Sequence, residues 1–303
     1  MRPLEAGDEG PLLDLWNLSA EFDPMSRPLL REKVWDDPNF DPELCWVTQD
    51  ASGLSGFAMG IQRPGREVAY VKLLVTRPDL RRRGLASQML ERLEQQFLGR
   101  GGKSLRVAES HPHYLQPGVD VRYTPGLLFF QARHYQRVVG ETYNLHCDLS
   151  QDDFSTTAEE RTLSQIQFAR ARPEDRESVM EFLAQHFPGW TFEVGRMFAN
   201  RPVSLHLARQ TKEILGFSGY DGNNLGTGWF GPMGTAPEAR GLGLGRILLR
   251  RCLNDLQAQG HTSCVIPWVG PYGFYARHSR SRIERVFWRF ERNFSQVGNL
   301  ELT

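Results

Sequence analysis

The sequence predicts an α/β or α+β protein made of two similar domains. The chain of 303 residues is about twice the length of a typical domain. It matches itself when it is shifted by 159 residues, and a period of that length makes each copy a whole domain rather than a short solenoid repeat. In each copy, segments with the patterns of strands are interspersed with segments of helical periodicity.

The repeat is clearest around two glycine-containing stretches, RRRGLASQML at Arg81–Leu90 and RGLGLGRILL at Arg240–Leu249. With the shift of 159 residues, Gly84 falls on Gly243, and threonine, proline, glycine and apolar positions agree on both sides. We therefore predict an N-terminal domain over residues 1–150, a linker over residues 151–164 and a C-terminal domain over residues 165–303. The linker falls in the polar stretch SQDDFSTTAEERTLSQ, which has few large apolar residues.

Both halves show the same order of elements. An early helix is followed by a hairpin, whose turn falls at Asp50–Gly53 in the first half and at Thr211–Glu213 in the second. A further strand leads into the glycine stretch, where a second helix begins with apolar residues at helical spacing. Another strand follows. A final strand is expected to close each half, ETYNLHCDL in the first and RVFWRFERNF in the second.

The composition argues against several classes of partner. Thirty-six basic residues balance thirty-six acidic residues, so no whole-molecule field would attract nucleic acid or an anionic membrane. The N-terminal segment does not suit a signal peptide, and no apolar run approaches the roughly 18 residues of a membrane helix. We expect a cytoplasmic protein without nucleic-acid or membrane partners, whose widely spaced cysteines are reduced core thiols: Cys45, Cys147, Cys252 and Cys264.

One stretch of the chain has a composition that favours binding of nucleic acid. Arg277–Arg292 interleaves arginines with aromatic residues, a composition that could stack on a single strand. The alternation of Val286, Trp288 and Phe290 is also that of a terminal strand with one face covered, and we prefer that interpretation.

The glycine stretches do not match two familiar nucleotide motifs. The dinucleotide fingerprint G-x-G-x-x-G needs a third glycine where the second copy has Arg246, and the P-loop signature needs a glycine where the first copy has Phe97. The copies share R-x-x-G-x-[GA] between a strand and a helix. Free backbone N–H groups and the helix dipole converge there, which favours an anion such as a phosphate. Small residues allow close approach, and arginine adds charge.

Strand, R-x-x-G-x-[GA] and helix together resemble the acyl-CoA pyrophosphate site of the GNAT N-acetyltransferase superfamily. VTRPDLRRRGLA and GTAPEARGLGLG carry the resemblance, which covers nearly the whole chain as two tandem domains. It implies, for each domain, a mixed, mostly antiparallel sheet flanked by helices. It also implies acetyl-CoA as co-substrate and, as acceptor, the primary amine of a small molecule or an amino group on a larger molecule. The donor-binding residues it implies are Leu74, Val75, Arg81, Arg82, Arg83, Gly84, Leu85 and Ala86 in the first copy, and Met233, Gly234, Thr235, Arg240, Gly241, Leu242, Gly243, Leu244, Gly245 and Arg246 in the second.

The resemblance also implies a catalytic tyrosine. Family members commonly carry F-Y-x-x-x-G-F at the start of the last helix, where the tyrosine protonates the departing thiolate. The second copy has Phe274–Tyr275 there and the first has Phe129–Phe130, which has no proton to give. Both copies lack the trailing G-F, and a core aromatic is the alternative role for Tyr275. We therefore expect the chemistry in the C-terminal domain, with Tyr275 as general acid.

Other roles stay open at the level of the sequence. Asp221, His278, Glu109 or a chain of waters could serve as general base, and each side chain could equally be an ordinary surface or capping residue. The histidines of SHPHY do not make a metal site without a fuller ligand set, so no metal is expected. An acyl-CoA-binding sensor or interaction protein without turnover is the alternative function. The acceptor and the oligomeric state have no sequence signal.

Overall fold

The computed structural model describes residues 1–294, and the chain forms two compact units. Unit 1 contains residues 1–142 together with the segment that begins at residue 287, and unit 2 contains residues 143–286. Each unit has β-sheet flanked by helices, in a mixed, mostly antiparallel arrangement. The predicted fold class, two tandem domains of one type, is confirmed.

Unit 1 is built on one long sheet. Its elements in the first half of the chain are β1 (Arg2–Pro3), α1 (Glu9–Ser19), α2 (Arg27–Lys33), β2 (Cys45–Asp50), β3 (Gly53–Gln62), β4 (Val68–Thr76), α3 (Leu85–Gly99), β5 (Ser104–Val107), β6 (Val119–Asp120), α4 (Thr124–Ala132) and β7 (Gln136–Arg137). Within this sheet β4 and β5 are parallel, whereas β1–β2, β2–β3 and β3–β4 are antiparallel.

Unit 2 repeats this plan. Its elements are β8 (Thr142–Asp148), α5 (Thr157–Thr162), β9 (Gln167–Arg170), α6 (Arg176–His186), α7 (Thr191–Met197), β10 (Leu205–Gln210), β11 (Glu213–Tyr220), β12 (Phe230–Thr235), α8 (Leu244–Ala258), β13 (Ser263–Ile266) and α9 (Tyr272–Ser279). Strands β12, β11, β10 and β9 form an antiparallel sheet in that order. A parallel bridge joins Trp229 and Val265, next to β12 and within β13.

The two halves of the chain exchange their final strands. β14 (Arg282–Trp288) leads the chain back to unit 1, where β15 (Phe290–Asn293) pairs with β5, Arg292 lying opposite Leu105. β8 belongs to unit 2 and pairs with β13, Cys147 lying opposite Cys264. The expectation that each half is closed by its own last strand is therefore wrong. Both strands have an alternating pattern of apolar and polar residues. Such a pattern fits the sheet edge of either unit and does not specify which of the two edges the strand joins.

The predicted domain bounds, 1–150 and 165–303 with a linker between them, stay a prediction. The predicted linker itself contains α5, and its carboxylates bind helix α8. Arg250 pairs with Asp152 at 2.9 Å, and Arg251 pairs with Glu160 at 2.7 Å. The polar composition of this segment thus reflects ion pairs to a helix as well as exposure to water.

Glycines on β3 let helix α3 pack closely on the sheet of unit 1. A Cβ atom at Gly60 would lie 2.6 Å from the ring of Phe97, and one at Gly56 would lie 2.8 Å from Met89. In unit 2, a Cβ atom at Gly216 would lie 3.3 Å from Leu248 of α8. The glycine that the two copies share at this place, Gly56 in β3 and Gly216 in β11, is therefore explained by close packing of the helix on the sheet.

The cysteines are buried as the sequence predicts, but the arginine-rich stretch is not the single strand that its alternation predicts. All four cysteines are buried free thiols. Phe287 and Phe290 are fully buried, whereas Val286 and Trp288 are only partly buried. The burial changes face because the stretch forms two strands, β14 and β15, which meet at Arg289. Among residues 1–294, no helix is both long enough and apolar enough to cross a bilayer.

Candidate functional site

Both glycine loops lead from a strand into a helix, and they share one backbone conformation. In unit 1, Arg82 and Gly84 have φ angles of 63° and 86°. In unit 2, Gly241 and Gly243 have φ angles of 85° and 80°. Helices α3 and α8 begin directly after the second of these residues, so the free N–H groups of each first turn are presented at the loop. The conformation fits an anion at either helix start.

Unit 1 contains a cavity of about 370 Å³ at its loop. Five of the predicted donor-binding residues line it, namely Leu74, Val75, Arg81, Arg82 and Ala86, while Arg83, Gly84 and Leu85 do not. The Arg81 guanidinium also donates to the backbone oxygen of Ser19 at 2.9 Å, which ties the loop to the end of α1. The structure therefore brings five of the eight predicted residues of the first copy to one concave site.

The cavity opens where two parallel strands separate. The paired residues of β4 and β5 run from Val68–Ser104 to Val71–Val107. Beyond that point the residues 72–76 of β4 and Ala108 after β5 line the cavity. A β-bulge lies at the same place, because Met59 of β3 faces Leu73 and the next residue of β3 faces Val71. Lys72 is therefore the extra residue on β4.

The rest of the lining is mostly apolar. It includes Trp16 of α1, Phe129 and Phe130 of α4, and Leu115. Such walls suit the uncharged arm of a thioester, and the arginines and free N–H groups of the loop suit its phosphates. Phe130 lies in the wall, at the position where the sequence comparison places a tyrosine.

The lining of the cavity includes a tyrosine, Tyr123, that no sequence motif indicates. Tyr123 immediately precedes α4, whose first turn is set by Pro125. Its hydroxyl donates to Asp23 Oδ2 at 2.9 Å and accepts from the backbone N–H of Phe22 at 2.9 Å. The other carboxylate oxygen of Asp23 accepts from Gln116 at 2.7 Å. A tyrosine just ahead of the helix that carries Phe130 was the available signal.

Tyr275, the tyrosine that the sequence predicts to be catalytic, lies in core surroundings. Tyr275 is 9% exposed, and its ring lies 6.0 Å from that of Phe230 and 5.2 Å from that of Phe274. Burial, followed by the nearby Cys264 thiol, raises the pKa of Tyr275 to about 12. Tyr135, the tyrosine nearest to Phe130 along the chain, donates its proton to Glu94 at 2.9 Å inside unit 1.

The loop of unit 2 is shaped by its own side chains. Arg240, Gly241, Leu242 and Gly243 are exposed, whereas Leu244 is buried. Arg246 pairs with Glu159 at 2.6 Å, so a carboxylate lies beside the start of α8. A Cβ atom at Gly245 would lie 3.4 Å from the ring of Phe274.

The strand of unit 2 also differs from β4. Met233, Gly234 and Thr235 pair with β11, and a Cβ atom at Gly234 would lie 2.7 Å from the ring of Phe187. Pro232 lies within β12 and has no N–H group to present to a ligand.

The candidate bases are distributed over different places. Asp221 has a φ of 50° and donates its backbone N–H to Trp229 at 2.9 Å. The ring of His278 lies 4.9 Å from that of Phe274. Glu109 is buried beside Arg106 at 3.1 Å, and burial raises its pKa. None of these three lines the cavity of unit 1. Among residues 1–294 no group of three histidine, cysteine or acidic side chains is arranged to hold a metal ion.

This chain is similar to known proteins in both sequence and fold. The model of the acetyltransferase (GNAT) family matches residues 12–116 and again residues 166–278. A stretch of 83 residues is 35% identical to an acetyltransferase of Yersinia enterocolitica, over 25% of this chain and 57% of that protein. The chain thus spans little more than half of that relative.

Solved structures share the fold at low sequence identity. A glucosamine N-acetyltransferase region of a fungal multi-domain β-N-acetylglucosaminidase has a TM-score of 0.80 at 17% identity, over 96% of this chain and 37% of that one. A GCN5-related N-acetyltransferase from Sphaerobacter thermophilus has a TM-score of 0.69 at 15% identity, over 97% and 95% of the two chains. A tandem GNAT protein of the clavulanic acid biosynthesis pathway has a TM-score of 0.69 at 16% identity, over 97% and 98%.

Proposed function

Because the chain belongs to the acetyltransferase (GNAT) family, we propose that it transfers an acetyl group from acetyl-CoA to a primary amine, and that unit 1 binds the donor. The observation that carries this proposal is the cavity between β4 and β5, which opens at the start of α3. The apolar walls of the cavity, the backbone at its edge and the arginines of the loop lie together there. A thioester on a phosphate-bearing carrier requires apolar walls for its uncharged arm and cationic groups for its phosphates.

The reaction has two proton requirements. An alkyl ammonium with a pKa of about 10.4 must lose a proton before its nitrogen attacks the thioester carbon. The new C–N bond forms, the C–S bond breaks, and the thiolate, with a pKa of about 8.5, leaves more easily when it takes a proton. Tyr123 is the tyrosine in the cavity wall, and a tyrosine hydroxyl, with an ordinary pKa of about 10, carries a proton at neutral pH. We assign Tyr123 as the proton donor in unit 1.

The sequence-based assignment of the chemistry to Tyr275 in the C-terminal domain stays a competing prediction. Four features of unit 2 favour unit 1 instead: the buried position of Tyr275, the Glu159 carboxylate on Arg246, the ring of Phe274 against Gly245 and the missing N–H of Pro232. A matched pair of variants distinguishes the two units. Gly84 and Gly243 hold the same place and the same left-handed conformation, so valine strains both loops alike.

We expect Gly84→Val to raise the Kd for CoA at least about tenfold by calorimetry, since valine blocks close approach to the backbone. Gly243→Val should change that Kd less than about threefold. Thermal unfolding of both variants controls for loss of fold. The reverse result would assign the donor to unit 2, and two unchanged affinities would remove both loops from a donor site.

Turnover separates an enzyme from an acyl-CoA sensor. We expect thiol release from acetyl-CoA to depend on an added primary amine, measured with a library that includes amino sugars, since a fungal relative in fold is described as a glucosamine N-acetyltransferase region. CoA binding without thiol release for any amine would favour the sensor. The amine pocket is built by the loops around the cavity, which vary most among members of a fold.

A further inference from the structure

Five ionisable side chains lie buried together in unit 1. This ionic cluster consists of Glu32 and Lys33 on α2, Asp37 after that helix, Lys72 on β4 and His113 after β5, and each is at most 5% exposed. Burial of so many charges is unfavourable unless each charge has well-placed partners. The partners are supplied within the cluster, so its geometry is well defined.

Lys72 is the centre of the ionic cluster. Its ammonium group donates to Asp37 Oδ2 at 2.5 Å and to the backbone oxygen of Lys33 at 2.6 Å. His113 places Nδ1 3.4 Å from the same oxygen of Asp37 and Nε2 3.5 Å from Glu32 Oε1. Lys33 lies 3.2 Å from that Glu32 oxygen. Three separate segments of unit 1 are therefore held to one another through these contacts.

The backbone of Lys72 occupies the bulge of β4. Met59 faces Leu73 and Gly60 faces Val71, so Lys72 has no partner residue in this register. Lys72 is also among the residues that line the cavity, although its side chain is fully buried. A bulge changes the direction of the strand around it and is common next to active sites. The ionic cluster thus holds the side chain of Lys72, the residue that forms the bulge.

Stability alone is a weak reason for such an anchor, because apolar replacements of buried ion pairs are often neutral or stabilising. A stronger reason is that these contacts fix the orientation of strand β4. Two directed hydrogen bonds from one ammonium fix the bulge relative to α2, and the strand on either side of it can then shift little. The backbone N–H groups on the cavity edge of β4 are in this way held in one direction, as electrostatic stabilisation of a developing oxyanion requires.

We propose that Lys72 is a positioning residue for acyl transfer: its bonds to Asp37 and to the backbone of Lys33 fix the β4 bulge, so that the cavity-edge N–H groups of β4 meet the thioester carbonyl. This inference rests on the proposed function of unit 1. It assigns to the ionic cluster a role in the reaction rather than in binding of CoA itself, whose phosphates belong to the loop at Arg81–Ala86.

The test uses the full chain and a pair of variants that separate stability from positioning. Lys72→Met leaves Asp37 buried without its cation and is expected to lower thermal stability. Lys72→Met combined with Asp37→Asn removes both charges and should recover most of that stability. The double variant should still lose about 10- to 100-fold in kcat, since displaced oxyanion donors reduce turnover by about that amount or more. Its Kd for CoA should stay within about threefold of wild type.

A second readout does not depend on the acceptor. If the β4 N–H groups bind the thioester carbonyl, acetyl-CoA binds more tightly than CoA, and calorimetry should show this preference disappear in the double variant. Asp255→Asn is the matched control, because Asp255 in unit 2 is bonded to His206 at 2.6 Å and to Arg170 at 2.7 Å within a similar partly buried ion group. It should leave kcat and the preference unchanged.

A double variant with wild-type kcat, or with the wild-type preference for acetyl-CoA, would overturn the role of Lys72. That result would leave the proposed function intact as long as the wild type binds CoA and Gly84→Val weakens the binding as expected above. A wild type that does not bind CoA would instead contradict the proposed function, and the role of Lys72 would be contradicted with it.

Discussion

The hydroxyl of Tyr123 donates a hydrogen bond of 2.9 Å to the carboxylate of Asp23, 100 residues earlier in the chain. The contact joins the segment after α1 to the start of α4, and both residues line the cavity of unit 1. It places a protonated oxygen in a wall where Phe130 offers none. Unit 1, which has Phe130 where family members commonly have a tyrosine, thus still has a tyrosine in its cavity wall.

Tyr123→Phe tests this assignment. The change keeps the ring and removes the proton, so we expect kcat to fall about 100-fold or more, within the range typical of general acid catalysis. The Kd for CoA should stay within about threefold, and the defect should shrink with a thioester whose thiol is already a good leaving group. Tyr275→Phe is the matched variant in unit 2. A large fall in kcat for Tyr275→Phe alone would restore the chemistry to the C-terminal domain.

Arg82 provides a test of the donor loop. It has a left-handed φ of 63°, where unit 2 has Gly241 at 85°. Such a conformation is unfavourable for a residue with a side chain, so Arg82→Gly should stabilise the chain by about 0.5–1 kcal/mol in urea unfolding. If Arg82 binds phosphate, the same variant should bind CoA about 3- to 10-fold more weakly. Gly241→Arg should destabilise the chain without affecting CoA. A less stable Arg82→Gly would show that the arginine makes contacts that outweigh the backbone strain.

Asp37 makes stability depend on pH. Burial by itself raises the pKa of this carboxyl, but the hydrogen bond from His113 and the charge of Lys72 outweigh burial and hold the pKa well below its usual range. A carboxyl whose pKa is lower in the folded state stabilises fully above its unfolded pKa of about 3.9, and that contribution is lost as the pH falls below it. Asp37→Asn should therefore be less stable than wild type at pH 7, and the difference should narrow between about pH 4 and pH 2.

Urea unfolding across that range measures the effect. A difference between Asp37→Asn and wild type that stays constant down to pH 2 would mean that the carboxylate charge makes no net contribution.

The exchanged strand β15 predicts that damage to the C-terminus reaches the N-terminal half. Phe290 is fully buried, and its ring lies 6.0 Å from that of Phe130 in the cavity wall. Phe290→Ala should destabilise unit 1 by about 3–5 kcal/mol and weaken CoA binding, since a buried aromatic leaves a large void. Hydrogen exchange should show the loss of protection in β5 while β9–β12 stay protected. Loss confined to unit 2 would contradict the pairing.

Much of this molecule is accessible from its sequence, for physical reasons. The glycine loops are predictable because left-handed φ angles and close approach of backbone require particular residues at a fixed spacing, as at Gly84 and Gly243. The repeat predicts two domains of one fold because both copies must place the same glycines under a helix.

Other features have no local signature. Lys72, Asp37 and His113 meet through tertiary contacts between segments that are unrelated in sequence, and a lysine within a strand normally indicates a solvent-facing position. The pairing of Tyr123 with Asp23 has the same origin. The exchange of β8 and β15 depends on which of two similar edges each strand reaches, and strand propensity is equal for both.

The discontinuity of unit 1 also sets an order of events during synthesis. Residues 1–142 leave the ribosome first, but the strand that completes their sheet beside β5 is made only after all of unit 2. At about 5–20 residues per second, the nascent first half waits on the order of ten seconds with an open sheet edge next to its cavity. The half that begins folding first is thus the last to be finished, and a chain cut short before β15 would leave the sheet of unit 1 without its strand beside β5.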